Sequence, residues 1–196
     1  MSISRAPDAA PQPARRHLSE RQAEVMERLV AAAADEAEER SYADITVRTI
    51  AKRANVAAAT AYTYFSGKDH LLAEVLWRRV QSTPHLVDLS LGLPERVADT
   101  ARTMGFTSMG LPALATCTTA LLGDGPDVKH VRSRMGVEIE RRLAAALGDG
   151  VDGAVLGVLQ VTYTGALLSA GMGHLRFEAV PALMGEATAL MTGTAP

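Results

Sequence analysis

The run Thr60-Ala-Tyr62-Thr63-Tyr64, followed by Lys68, concentrates short hydroxyls, phenols and an ammonium in one short stretch. Such groups suit contact with base edges and phosphate oxygens. The residues just before them supply what is needed to position them. Thr46 can cap a short helix whose Val47, Ile50, Ala51 and Ala54 keep apolar positions three to four apart. Asn55 is a turn residue that tolerates a left-handed backbone. Val56 reopens the apolar pattern into a second short helix carrying the Thr and Tyr cluster, and Phe65 closes it as a core anchor. Two short helices around a tight turn, with a third helix starting at once, read as a helix-turn-helix that points to duplex DNA.

Thr46, Ile50, Ala51, Ala54, Val56, Thr60, Tyr62, Tyr64, Phe65 and Lys68 match, nearly position for position, the DNA-binding segment of the TetR family of transcriptional regulators, which this stretch resembles. The resemblance is close over roughly residues 19 to 80, the extent of a small DNA-binding unit. Beyond that the chain is similar to the family only in length and helical pattern. The resemblance implies that Thr46, Tyr62, Tyr64 and Lys68 grip phosphates, with Tyr62 also reaching a base. Arg48 is a base reader, and Ala58, Ala59, Thr60 and Thr63 stand on the recognition helix. The chain departs from the commonest pattern at Ala57, where Ser or Thr often caps that helix, and at Ala58, Ala59 and Ala61. With so few hydrogen-bonding groups, base choice there would rest on thymine methyl contacts, Arg48 and DNA shape.

The family likeness further implies a homodimeric, ligand-responsive repressor on a near-palindromic operator. Its recognition helices would lie roughly 34 to 36 Å apart in successive major grooves. The expected fold is all-α: a disordered arm over 1–18, a helix-turn-helix domain over 19–66, and a helical ligand-binding and dimerisation domain over 67–196.

Composition agrees. The chain has 196 residues, 47% of them hydrophobic but only 4% aromatic, so Ala, Leu, Val and Met must fill most of the core. The formal charge is −2 overall, yet 45–82 holds six basic residues (Arg48, Lys52, Arg53, Lys68, Arg78, Arg79) against Asp69 and Glu74. Positive charge thus gathers on the motif that would face phosphate. Cys117 is the single cysteine, which excludes an intramolecular disulfide and suits a reducing cytoplasm. The first 16 residues carry Pro7, Pro11 and Pro13 without an apolar run, so they read as neither signal peptide nor anchor. Arg15 and Arg16 can lie against the minor groove; a solvated tail is the plainer reading.

The first helix is expected from Ser19, with Gln22 completing a capping box, to about Arg40. Its Val25, Leu29, Ala32, Ala33 and Ala37 face the motif. Ser66 and Asp69 repeat the box and start the fourth helix, which runs through Leu71, Leu72, Val75, Leu76 and Trp77 until Pro84 stops it. Gly and Pro punctuation then predicts helices at about 94–108, 111–122, 127–147, 152–175 and 178–192. Residues 103–123 and 153–173 contain no charged side chain. Their Thr, Ser, Gly and Pro content favours buried helices over membrane spans, and no membrane partner is expected.

Gly157, Gly165, Ser169 and Gly173, then Ala182, Gly185 and Ala189, form columns of small residues that let a second helix approach closely. Family members dimerise through their last two long helices as a four-helix bundle, and these columns look like that contact; ordinary packing within one subunit is the alternative. Trp77, Met104, Phe106, Met109, Leu114, Cys117, Leu121, Tyr163 and Leu167 suit a flexible pocket for a small lipophilic effector, although core filling explains each equally well. Arg102, Arg134 and His174 can meet an acidic group on a ligand, whereas Arg134 with Glu138, and Glu138 with Arg142, are spaced as helix ion pairs. No cofactor or metal site is read. The five histidines are scattered without ligand spacing, no nucleophile motif is present, and Asp127 with His130 is an isolated pair. A helical protein-interaction adaptor would leave Tyr62, Tyr64 and Lys68 unexplained.

Overall fold

The computed structural model describes residues 20–104 and 110–194, and among them the ordered elements are helical throughout. They are α1 (Glu20–Glu39), α2 (Val47–Arg53), α3 (Ala58–Tyr64), α4 (Lys68–Ser82), α5 (Leu93–Thr103), α6 (Leu111–Ala120), α7 (Pro126–Leu147), α8 (Gly153–Gly171) and α9 (Val180–Thr192), with a single 3-10 turn at Phe177–Ala179 before the last. The expected Ser19 cap and the basic arm lie outside the described residues, as do Phe106 and Met109.

Local chemistry sets most boundaries. Pro94, Pro112, Pro126 and Pro181 each sit in the first turn of a helix, where a missing N–H costs no intrahelical bond. Gly148 ends α7 at φ +72°, and α8 stops at Gly171, four residues before the expected 175, because Gly173 takes φ +78°. Gly173 is therefore explained by its backbone rather than by helix packing. The expected Ser66–Asp69 box does not form. α4 starts after Gly67 without a side-chain cap, because the Asp69 carboxylate is taken by Tyr42 Oη, which donates to it at 2.5 Å.

α1 packs on α2, α4 and α6, closing a small core of Leu29, Ala33, Ile45, Ile50, Phe65 and Leu71 under the helix-turn-helix. α4 runs on from there against α6 and α7, while α5 and α9 make the most extensive pairing and α8 lies against α6, α7 and α9. Truncating Leu29, Ile45, Ile50 or Leu71 to Ala would cost about 2–5 kcal/mol.

The far end of α4 is fixed by a buried cation. Arg142 of α7 donates through Nη2 to the carbonyls of Val80 (2.7 Å) and Thr83 (3.0 Å), and through Nε to Glu138 (2.7 Å). It thus supplies donors at a helix C-terminus, where carbonyls have none and the dipole favours positive charge. Arg141 also binds Glu138, and these bonds hold its carboxyl down to about 2. A carboxylate depressed on folding stabilises above its unfolded value of 4.5, and that contribution disappears as pH falls through about 2. Acid titration of wild type and Glu138→Gln should therefore give curves that converge between these two limits; curves that stay parallel there would remove Glu138 from the acid response.

α8 departs from the expected buried helix. It is long and apolar enough to cross a membrane, with a mean hydropathy of 1.4, yet only 22% of that window is buried within the subunit. Leu159, Tyr163, Ala166 and Ala170 face inward, leaving Val158, Val161 and Met172 exposed. The charge-free stretch before it behaves as expected where described: Ala113, Leu114, Cys117 and Ala120 of α6 are buried.

Candidate nucleic-acid interface and apolar cavity

The helix-turn-helix is built from reciprocal local bonds. Thr46 Oγ1 accepts from the Thr49 N–H at 3.1 Å, while Thr49 Oγ1 accepts from the Thr46 N–H at 3.1 Å, so the cap of α2 is a two-threonine box. Asn55 turns the chain at φ +52°, the left-handed conformation expected of it. α3 then begins at Ala58 behind Ala57, which has no side-chain oxygen and makes no cap bond.

Most of the predicted contact residues reach the surface of the helix-turn-helix. Thr46, Arg48, Ala59, Tyr62 and Thr63 are exposed, Tyr62 by 53%; Ala58, Thr60 and Tyr64 are half-buried. Thr63 Oγ1 turns back to the Ala59 carbonyl at 3.1 Å, which leaves the Tyr62 phenol and Arg48 as the projecting polar groups.

Lys68 is tethered in a way the sequence did not disclose. Its Nζ donates to the Tyr42 carbonyl at 2.8 Å and lies 3.9 Å from the centre of the Tyr42 ring. With Tyr42 Oη on Asp69, one loop aromatic clamps the first turn of α4 to the α1–α2 turn. Burial, with the Asp69 carboxylate next in effect, pushes the Tyr42 phenol up to about 12, so it remains a hydrogen-bond donor. An ammonium has three donors, so the tether leaves Lys68 with N–H groups for a phosphate.

The charge count needs correction. Arg53, counted with the basic patch, pairs through Nε with the buried Glu36 at 2.9 Å and through Nη1 with Glu39 at 2.9 Å. Arg40 holds the other Glu36 oxygen at 3.1 Å. Arg78 is likewise engaged by Glu27 at 2.6 Å. Arg53 locks α1 to α2 and Arg78 locks α1 to α4, while Arg48, Lys52 and Lys68 stay outside these ion pairs.

The predicted pocket residues divide. Met104, Leu114, Tyr163 and Leu167 line a narrow apolar cavity with Leu76, Val80, Thr118, Met135 and Ile139. Tyr163 Oη donates to the Met104 carbonyl at 3.0 Å, and burial raises that phenol far above its usual range. Leu121 and Leu167 line an adjoining open cleft of about 250 Å³ between α6, α7 and α8. Trp77 lines neither. It lies beneath the Arg134 guanidinium, 4.5 Å from the ring centre, on a shallow groove with His130 and Val137. Cys117 is buried elsewhere in the core, its thiol pushed up to about 12 by that burial. Of the polar residues considered for a ligand, Arg102 pairs with Asp99 (2.8 Å), His174 is exposed, and Arg134 pairs with Glu74 (3.6 Å) instead of Glu138. Asp127 faces His70 at 3.8 Å rather than His130.

The small-residue columns also divide. A side chain at Gly157 or Gly165 would meet nothing, and Ala182 is exposed, so these positions face outward; Ser169 is half-buried. Gly185 and Ala189 face inward, where a Cβ on Gly185 would lie 3.2 Å from the Pro94 carbonyl. They serve the contact of α9 with α5 within the subunit.

Comparison with known proteins follows the same division. Residues 29–75 match the family model for bacterial regulatory proteins of the tetR family. An uncharacterized HTH-type transcriptional regulator of Mycobacterium tuberculosis is 40% identical over 174 residues, covering 87% of this chain and 82% of that protein. Among solved structures, a TetR transcriptional regulator from Rhodococcus sp. RHA1 superposes with a TM-score of 0.67 at 19% identity, covering 88% of this chain and 97% of the other. The regulator FadR from Bacillus subtilis, in complex with stearoyl-CoA, does so with a TM-score of 0.57 at 15% identity, over 87% and 99%. With its two-threonine cap, left-handed Asn55 and exposed reading face, the chain belongs to the TetR family of helix-turn-helix transcriptional regulators.

Proposed function

We propose that the protein is a homodimeric repressor that binds a near-palindromic operator in the cytoplasm and is released by a small lipophilic effector. The observation that carries this reading is the run of α4 from the Lys68 tether beside the reading face to the apolar cavity lined by Leu76 and Val80. A molecule that enlarges the cavity presses on α4 through Leu76 and Val80, as well as on α6, α7 and α8. Glu38 of α1 adds a second link by accepting from the Gly110 N–H at 2.8 Å, immediately before α6. The stearoyl-CoA bound by FadR is in keeping with an apolar effector here.

For DNA, Thr46, Tyr62, Tyr64 and Lys68 hold phosphates, Arg48 reads a base, and Ala58, Ala59, Thr60 and Thr63 fit the groove floor. For assembly, the uncovered side of α8 around Gly157, Val161 and Gly165, with Ala182 and Leu190 of α9, supports pairing of two subunits.

Operator binding across a salt series tests the reading. Lys68→Ala should weaken binding to every sequence alike and lower the log–log salt slope by about one, as loss of one phosphate contact requires. Arg48→Ala should keep the slope and relax preference at one base position. Wild-type affinity that is insensitive to salt and to sequence would overturn the repressor assignment.

A further inference from the structure

We infer that Thr118 is the polar anchor of the effector cavity. The effector is then a slender, uncharged or anionic apolar molecule with one hydrogen-bonding oxygen, admitted between α6, α7 and α8. This rests on the ligand-responsive reading above and adds to it the chemistry of the molecule and its route.

The narrow cavity and the neighbouring cleft share Thr118, Met135, Ile139 and Leu167 in their walls, so these side chains stand between them. The inner space as it stands is about 10 Å³, room for hardly one water. It becomes a binding site when the partition moves, and Met135 is an unbranched, adaptable side chain able to do so. Inner space, partition and cleft then form one channel from the surface to Tyr163.

Within that channel Thr118 is anomalous. A helical threonine ordinarily turns its hydroxyl to the carbonyl one turn back, and Thr119, Thr162, Thr164, Thr188 and Thr192 all do so here at 2.8–2.9 Å. Thr118 is buried, and among the described residues its Oγ1 has no partner. Its methyl is held against α8, since a Cβ on Gly171 would approach Thr118 Cγ2 to 3.2 Å. A buried hydroxyl without a partner is destabilising, and a ligand oxygen or N–H reaching it would relieve that cost.

Charge at the mouth narrows the class. Arg132 is the one charged side chain lining the cleft, and among the described residues no carboxylate lies within ion-pair distance of it. Its Nη1 donates to the Leu121 carbonyl at 2.6 Å, and the nearby Asp124 is held by Lys129 at 2.7 Å. A cation passing this mouth meets a guanidinium that has no carboxylate in ion-pair contact among the described residues, and is disfavoured relative to an anion or a neutral molecule.

The test uses the full chain with 1-octanol, 1-chlorooctane and octylammonium, measured by calorimetry and by operator release. 1-Octanol should bind best, and Thr118→Val should weaken it by about fivefold to tenfold while leaving 1-chlorooctane unchanged, as loss of one neutral hydrogen bond requires. The same isosteric variant should melt higher than wild type when unliganded, and Thr118→Ser should keep octanol affinity. Octylammonium should bind weakly to wild type and better to Arg132→Gln. Equal octanol affinity in wild type and Thr118→Val, with operator release preserved, would overturn the anchor and leave the ligand-responsive reading standing. No binding of any of the three probes by a protein that still holds its operator would overturn both.

Discussion

Val161→Glu should convert the protein to a monomer that keeps its fold and loses operator binding by at least about a hundredfold. Val161 lies on the outward face of α8 and is 73% exposed, so within one subunit the new carboxylate has water and disturbs nothing. In an isologous contact the same substitution enters twice, on either side of the two-fold axis. It places two like charges in an apolar interface where neither has a partner. A single subunit reaches one half-site only, and the avidity of two linked recognition helices disappears. Light scattering with a band-shift titration checks both parts. A dimeric Val161→Glu with normal operator affinity would move the subunit contact away from α8.

Arg142→Ala should lower stability by about 3 kcal/mol or more, the sum of one buried and one partly buried carbonyl left without this donor and a cavity in place of the side chain. The carbonyls are those of Val80 and Thr83, and the side chain lies almost wholly inside the protein. Glu138 would keep its bonds to Arg141, so the loss belongs to the end of α4 rather than to an exposed ion pair. Trp77, midway along α4 and stacked under Arg134, reports the transition in urea. A change below about 1 kcal/mol, the range of an exposed ion pair, would mean that Arg142 acts as one.

The reading motif was legible in the sequence because its determinants are local. Thr46 and Thr49 are one turn apart, Asn55 carries its own turn, and Phe65 needs only to be apolar. The charge reading failed where a partner was distant: Glu36 and Glu39 neutralise Arg53 from another helix, outside any window centred on the motif. Tyr42 was passed over for the same reason, as its partners Lys68 and Asp69 are 26 and 27 residues away. Leu76 and Trp77 are adjacent, yet only Leu76 looks into the cavity, a choice fixed by how α4 crosses α6 and α7. α8 was beyond sequence reasoning in another way. A helix apolar on all sides has no amphipathic stripe to say which face stays uncovered.

At both ends of α4 the fixing bonds from Lys68 and Arg142 run to main-chain oxygens, those of Tyr42, Val80 and Thr83. The Val80 and Thr83 acceptors persist whatever side chains those positions carry, whereas the Tyr42 end also uses that residue's ring and hydroxyl. The mounting of the helix therefore makes few demands on the residues between its ends, and those that line the cavity are free to drift over generations. On the proposed effector response, substitutions at Leu76 or Met135 would reshape the cavity without touching the bonds that fix the two ends of α4.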